Sequence, residues 1–243
     1  MKCILLAAGY ATRLYPLTKD CPKSLLPIGD SNILEFIISK LEPVAAIDQI
    51  YIVTNERFAE QFQKWAEQYS SDKQIIVLND GTKTNETRLG AIADLEMVIE
   101  QEKIDEDILV LAGDNLFDFS LADFVEFFNN IGHDCITAHE LTDLQALQRT
   151  GVVEIDNRQR IISFEEKPLQ PKSNLAVPPF YLYQRATLPL IKQYLNAGNN
   201  PDAPGNFIPW LLTQKDVYVY RFSGNRYDIG TLESYQEACK LFF

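Results

Sequence analysis

A chain of 243 residues, 46% hydrophobic and 23% charged, has the mix of a folded globular protein; disorder is excluded as its main theme, and one or two domains fit the length. A formal net charge of −12 repels a phosphate backbone and excludes nonspecific nucleic-acid binding, although a few placed cations and a metal can still hold a phosphate ligand locally. Cys3, Cys21, Cys135 and Cys239 are scattered without metal spacing and read as reduced thiols of a cytoplasmic protein. The apolar run after Lys2 falls short of the roughly 7–15 residues of a secretory core, and nothing approaches the ~18 apolar residues of a membrane span.

In chain order, KCILLA (2–7) reads as a buried strand, followed by a polar stretch punctuated by Gly and Pro up to Gly29. Helical spacing predicts a helix over 32–42, then a strand over 49–54 and a helix over 56–68 with Phe58, Phe62 and Trp65 on one face. A third strand is expected at 74–79, a helix at 86–101 carrying Leu89, Ile92, Leu95 and Ile99, and a fourth strand at 107–113 that ends in Asp114. This alternation predicts an α/β fold with a mostly parallel sheet covered by helices on both faces. Ligands of such sheets sit beyond the carboxyl ends of the strands, which singles out 7–23, 79–90 and 113–115.

The second half changes character. CITAHEL, TGVVEID, RIISFEEK and AVPPFYLY are shorter strand-like runs that predict a mixed or antiparallel continuation of the sheet. Helices are expected at 187–195 and 206–214, a strand at 216–222, and a last helix capped by Thr231. No repeat or linker cuts the chain, so the expectation is one domain, 1–243, with a nucleotide half to about 115 and an acceptor half from 116.

Four stretches could carry chemistry. In LAAGYATRLYPLTKDCPKSLLPIG (6–29) the small residues Ala7, Ala8, Gly9 and Ala11 let the backbone approach a ligand and offer amides to phosphate, while Arg13 and Lys23 supply fixed positive charge. In LAGDN (111–115) Asp114 closes a buried strand; it is either an ordinary turn residue or an oxygen ligand suited to Mg²⁺. In YDIGT (227–231) Asp228 is either a turn residue ahead of the Thr231 cap or a second carboxylate for the same ion. TGVVEID with FEEKPLQPKSNLAV is, taken alone, a charged hairpin ahead of Pro168.

These stretches, in this order, resemble the sugar-1-phosphate nucleotidyltransferases, whose pattern is L-A-x-G-x-G-T-R-L-x-P-L-T, then P-K-x-L-L-P-I, G-D, E-E-K-P and D-x-G-T. The resemblance covers nearly the whole chain. It implies a Rossmann-like nucleotide-diphospho-sugar transferase fold and transfer of a nucleoside monophosphate from an NTP (dTTP, UTP or CTP) to a sugar 1-phosphate, with release of pyrophosphate. By the same resemblance Arg13 and Lys23 are catalytic cations on the triphosphate, and Asp114 and Asp228 hold Mg²⁺. Leu6, Ala7, Ala8, Gly9, Asn79, Asp80 and Arg88 line the nucleotide, and Gly151, Glu166, Lys167 and Val177 bind the phosphorylated acceptor. Association of identical chains is implied as a habit of the family.

The sequence departs from that pattern in three places. Ala11 stands where the second Gly is usual. Pro178 and Pro179 follow Val177 where the family reads T-G, which removes a backbone donor beside the acceptor. NDGTKTNETRLGAIA (79–93) replaces the usual base-contacting run. Two other readings therefore stand beside the first: a cytidylyltransferase acting on a small non-sugar phosphate or phosphonate, and a non-catalytic homologue that senses nucleotide sugars. His133 and His139 lie outside these motifs and read as structural or surface residues.

Overall fold

The computed structural model describes residues 1–241. In chain order the elements are β1 (Lys2–Leu6), β2 (Pro27–Ile28), β3 (Ser31–Asn32), α1 (Ile33–Leu41), β4 (Gln49–Thr54), α2 (Ala59–Gln68), β5 (Gln74–Asn79), α3 (Ala91–Gln101) and β6 (Ile108–Ala112). They continue with β7 (Asn115–Phe117), α4 (Leu121–Ile131), β8 (Asp134–Glu140), α5 (Leu144–Leu147), β9 (Gly151–Ile155), β10 (Ile161–Glu166) and β11 (Leu175–Val177). The last are β12 (Phe180–Tyr183), α6 (Leu188–Asn196), α7 (Phe207–Leu211), β13 (Val217–Arg221), β14 (Arg226–Asp228) and α8 (Leu232–Leu241). No helix among the described residues is long and apolar enough to cross a membrane.

The chain divides into two compact units, each discontinuous in sequence. The first holds Met1–Leu89, Ala112–Ala122 and the segment from Gly224 onward. Here β1, β4 and β5 lie side by side and parallel, with Lys2 opposite Gln49 and Gln49 opposite Gln74. Parallel neighbours need a crossover between them, and α1 and α2 supply it. The apolar stripe of α1 (Ile33, Leu34, Ile37, Ile38, Leu41) is buried, and Asn32 caps the helix by accepting from the Glu35 amide at 2.9 Å. β4 is buried almost throughout, whereas β5 is only half-buried, as befits an edge strand that pairs with β4. β7 and β14 form a separate antiparallel pair in which Asp228 faces Asn115.

The second unit holds Gly90–Leu111 and Asp123–Ser223. Its strands run mixed. β9 and β10 form an antiparallel hairpin, β11 lies against β9 on one side and β8 on the other, β12 joins β8 to β6, and β13 runs parallel to β8. AVPPFYLY, expected as one strand, is two: Ala176 faces His139 and Tyr181 faces Ile136, both on β8, with Pro178 and Pro179 between them. Proline has no N–H for the ladder, so pairing lapses there and resumes two residues later.

The helix expected from residue 86 begins at Ala91 instead. Gly90 has φ +97°, outside the helical region, and a Cβ there would sit 2.7 Å from the Pro201 carbonyl oxygen. Residues 85–87 make a single 3₁₀ turn, and Leu89 stays partly exposed instead of joining the helix face. α4, absent from the sequence-based reading, buries Leu121, Phe124, Val125 and Phe128 at helical spacing.

A polar network sits inside this second unit. The Asp134 carboxylate is fully buried and accepts from the Gln184 amide at 2.7 Å and the Thr187 hydroxyl at 2.6 Å, with the Lys215 ammonium 3.1 Å away. Burial pushes the Asp134 carboxyl above its ordinary value, and these partners offset that only in part. Lys215→Met strands the acid without its countercharge, so we expect a loss of about 3 kcal/mol in urea denaturation. A loss below about 0.5 kcal/mol, the scale of an exposed pair, would show that the network is not desolvated.

Candidate active site

The first unit gathers the expected phosphate and metal residues. Its loop after β1 is fixed from several directions. Ala7 donates to the Val53 carbonyl at 2.9 Å, and the buried Asn55 amide donates to the Ala8 carbonyl at 2.8 Å. The buried Tyr10 hydroxyl meets Thr82 at 3.2 Å, and Thr82 in turn donates to Asp80 at 2.7 Å. Rigid anchoring of this kind holds backbone amides in place before a ligand arrives.

Gly9 has no neighbour within 4 Å of where a Cβ would stand, so the protein's own packing does not demand glycine. Open space over a fixed backbone is what a close-approaching ligand needs. Ala11, which departs from the family pattern, adopts φ 48°, the left-handed region that glycine enters freely and alanine enters at a cost of about 1 kcal/mol or more. Its carbonyl is held by the Leu14 amide at 3.0 Å and the buried Thr18 hydroxyl at 2.8 Å, which fix the strained turn. Arg13 follows in that turn, exposed and without a hydrogen-bond partner among the described residues.

Pro22 leads into a second 3₁₀ turn, Lys23–Leu25. Two consecutive residues there reach two consecutive residues after β6. The Ser24 hydroxyl donates to the Gly113 carbonyl at 2.6 Å, and the Lys23 ammonium lies 2.5 Å from the Asp114 carboxylate. A Cβ on Gly113 would stand 2.8 Å from the Ser24 oxygen and 3.2 Å from the Leu6 carbonyl. Any side chain there would have to displace Ser24 and press on the Leu6 backbone.

Asp114 and Asp228 are brought together by β7 and β14: Asn115 faces Asp228, and the Ile229 amide donates to the Asp114 carbonyl at 3.1 Å. The buried Asn115 amide donates to Asp114 at 2.5 Å and accepts from Arg226 at 2.5 Å, and the Arg226 guanidinium lies 3.7 Å from Asp228. Gly230 stands between Arg13 and Asp228; a Cβ there would be 3.7 Å from each. No group of three or more His, Cys, Asp or Glu side chains among the described residues could hold a metal, so the carboxylates on offer are a pair. An oxygen-only pair fits Mg²⁺, which takes one or two carboxylates and completes its shell with water and phosphate. Asn79 and Arg88, expected at the base, turn into their own loops: Asn79 accepts from Gly81 at 2.9 Å and donates to Glu56, and Arg88 donates to the Asn85 carbonyl at 2.9 Å.

The second unit brings the expected acceptor residues together at one end of three strands. Gly151 opens β9, opposite Glu166 on β10 and Val177 on β11. The Thr150 hydroxyl donates to the Val177 carbonyl at 3.0 Å, and the Lys167 amide to the Thr150 carbonyl at 3.1 Å. Lys167 has φ 49°, which turns the chain out of the strand, and its ammonium lies 3.6 Å from Glu166. Burial raises the Glu166 carboxyl above its ordinary value, and Lys167 offsets that only in part. Gly205 completes this corner, because a Cβ there would overlap the Glu166 carboxylate.

Sequence reasoning missed Ser24, Asn55, Asn115, Gly205 and Arg226. Asn55 follows β4 directly, so the rule that favours the ends of parallel strands could have found it. Gly205 and Arg226 carry no local signal.

Two outcomes follow. Burial pushes the Asp114 carboxyl up, but the Lys23 charge and hydrogen bond, with Arg226 and Asn115, outweigh it and hold the group below its ordinary value. A depressed folded-state pKa stabilises the fold above the unfolded carboxylate's pKa and ceases to as pH falls through the folded value. The stability gap between wild type and Asp114→Asn should therefore shrink between pH 5 and pH 2, as followed by denaturant titration across that range; a constant gap would contradict the ion pair. Gly205→Ala should displace Glu166, destabilise the fold by about 1–3 kcal/mol and raise the acceptor Michaelis constant; unchanged acceptor kinetics in a folded variant would detach Gly205 from the site.

Comparison with known proteins places this geometry in context. The chain is 27% identical over 235 residues to the bifunctional protein GlmU of Methanococcus aeolicus, an alignment that covers 95% of this chain and 51% of that one. It is 29% identical over 256 residues to a glucose-1-phosphate adenylyltransferase of Geobacillus stearothermophilus, covering 98% and 65%. The chain thus spans about half to two thirds of the length of these curated relatives. Among solved structures, a Bacillus anthracis protein assigned as a glucose-1-phosphate thymidylyltransferase, in complex with sucrose, superposes with a TM-score of 0.85 at 28% identity, covering 99% of this chain and 94% of that one. UDP-glucose pyrophosphorylase in complex with UDP-glucose shares the fold, at a TM-score of 0.83 and 21% identity, covering 99% and 97%. The Nucleotidyl transferase family model matches residues 2–242, nearly the full length, and the chain belongs to that family.

Proposed function

We propose that this protein transfers a nucleoside monophosphate from a nucleoside triphosphate to a sugar 1-phosphate, releases pyrophosphate and forms a nucleoside diphosphate sugar. The observation that carries the reading is the convergence of Lys23, Asp114 and Asp228 at the ends of β6 and β14. In this reading the two units act as one catalytic domain over 1–243. The names of the relatives denote adenylyl, thymidylyl and uridine donors, so the base is a matter for experiment.

Backbone amides of the loop from Leu6 to Gly9 face the phosphates, and open space over Gly9 lets them approach. Arg13, unpaired among the described residues, spreads charge on the departing pyrophosphate together with Lys23. Asp80 holds the nucleotide loop through Thr82, and Asn79 and Arg88 shape that loop at the base. Asp114 and Asp228 would hold Mg²⁺, which when bound neutralises phosphate charge and orients the transferred group. In the second unit Glu166 accepts from sugar hydroxyls, Lys167 holds the acceptor phosphate, and Gly151 and Val177 offer backbone to the sugar. A phosphate monoester is ionised near neutral pH, so attack on the α-phosphorus needs positioning and charge stabilisation more than a strong base.

One observation favours a second acceptor class. Pro178 and Pro179 carry no N–H, and the Phe180 amide is spent on the Pro178 carbonyl at 2.8 Å. Three successive positions after Val177 thus offer a sugar no donor, which suits an acceptor with fewer hydroxyls than glucose 1-phosphate, such as an aminoalkyl phosphate or phosphonate used with CTP. A cytoplasmic setting accords with four free cysteines, and association of identical chains belongs to the same reading.

The test is pyrophosphate release with Mg²⁺, crossing dTTP, UTP, CTP, ATP and GTP against sugar 1-phosphates, phosphocholine and aminoalkyl phosphonates, with Asp228→Asn as control. Release with one nucleotide and one sugar 1-phosphate, abolished in the control, is expected. Release confined to CTP and a non-sugar phosphate would replace the acceptor, and silence with nucleotide still bound would favour a sensing role.

A further inference from the structure

Arg226 lies at the centre of the carboxylate pair, and neither motif spacing nor the family pattern accounts for it. Its side chain is 12% exposed, although arginine ordinarily keeps its head in water. The guanidinium is held by Asn115 at 2.5 Å, and Asn115 also donates to Asp114 at 2.5 Å; a second guanidinium nitrogen stands 3.7 Å from Asp228. Lys23 covers the other Asp114 oxygen at 2.5 Å. The two carboxylates therefore already face Lys23 and Arg226, with Arg13 on the other side of Gly230, so their charge is offset before any ligand arrives.

We propose that Arg226 makes metal binding at this site conditional on the polyphosphate. The inference rests on the reading of Asp114 and Asp228 as metal carboxylates. A guanidinium cannot shed its proton, so it holds a permanent positive charge against an arriving divalent ion. That repulsion is strong in a partly buried site, where water screens little. Hydrogen bonding to the buried Asn115 keeps the guanidinium from swinging away. The negative charge of a triphosphate, or of pyrophosphate in the reverse direction, cancels the excess. Metal and polyphosphate then bind with positive coupling, each raising the affinity for the other by the same factor. The free protein avoids loading with metal alone, which would favour unproductive binding of whichever divalent ion is abundant.

The experiment measures Mn²⁺ binding by electron paramagnetic resonance in wild type, Arg226→Gln and Arg226→Lys, without nucleotide. Arg226→Gln should bind Mn²⁺ about tenfold more tightly, the effect of removing one like charge within a few ångströms, whereas Arg226→Lys should stay near wild type. Equal or weaker binding in folded Arg226→Gln overturns the proposal. A second measurement needs no variant: Mn²⁺ alone should leave the wild-type Tm unchanged, and Mn²⁺ with inorganic pyrophosphate should raise it above the effect of pyrophosphate alone. A Tm rise with Mn²⁺ alone equal to that with both overturns the proposal even if Arg226→Gln does not fold. Failure of the underlying metal reading looks different: with pyrophosphate present, Asp114→Asn and Asp228→Asn would then bind Mn²⁺ as wild type does.

Discussion

Lys23 and Ser24 are neighbours in the chain, and they grip Asp114 and Gly113, neighbours 90 residues further on. Much of the first unit's geometry follows from that double contact. Ser24 sits where a Gly113 side chain would be, so β1's end, the turn after Pro22 and the segment leading into β7 close on one another without a gap. With that seam shut, the half-buried Asp114 faces the Lys23 ammonium. The β7–β14 ladder then delivers Asp228 and Arg226 to the same place from the far end of the sequence. Loss of the seam would free three segments at once.

The second unit reaches a comparable result by other means. Its corner is built from strand register: Gly151 is flanked by Glu166 and Val177 because three short strands pair in that order. The carboxylate is held by crowding more than by charge, between Gly205, Gly151 and the Phe164 ring. The two carboxylate environments thus differ in kind. One is depressed by surrounding cations and the other is raised by burial, which separates charge handling from hydrogen bonding.

Much of the fold was legible because its signals are local. β1, β4, β5 and β6 read as apolar runs bounded by polar residues, and the Thr231 cap is real, accepting from the Ser234 amide at 3.2 Å. The start of α3 was misread because the apolar period continues back through Leu89, while Gly90 is forced out of the helical region by the Pro201 backbone, a contact no local pattern reveals. The break at Pro178–Pro179 could have been foreseen from proline's missing donor. Within the candidate site, Lys23 was expected from a specific N-terminal signature and Asp114 and Asp228 from motifs weak singly, and the structure brings Lys23 against Asp114. Arg226 escaped because its environment is made entirely by strand pairing across 111 residues, as its bond to Asn115 shows.

Gly9 and Gly113 are both glycines at strand ends, yet they answer to different masters. Gly113 is enclosed by the protein's own atoms, and Gly9 by none. A library scored only for soluble expression would accept side chains at Gly9 and reject them at Gly113; scored for the proposed transfer, it would reject both. Subtracting one screen from the other, position by position, traces a ligand's footprint on the backbone before any ligand has been seen bound.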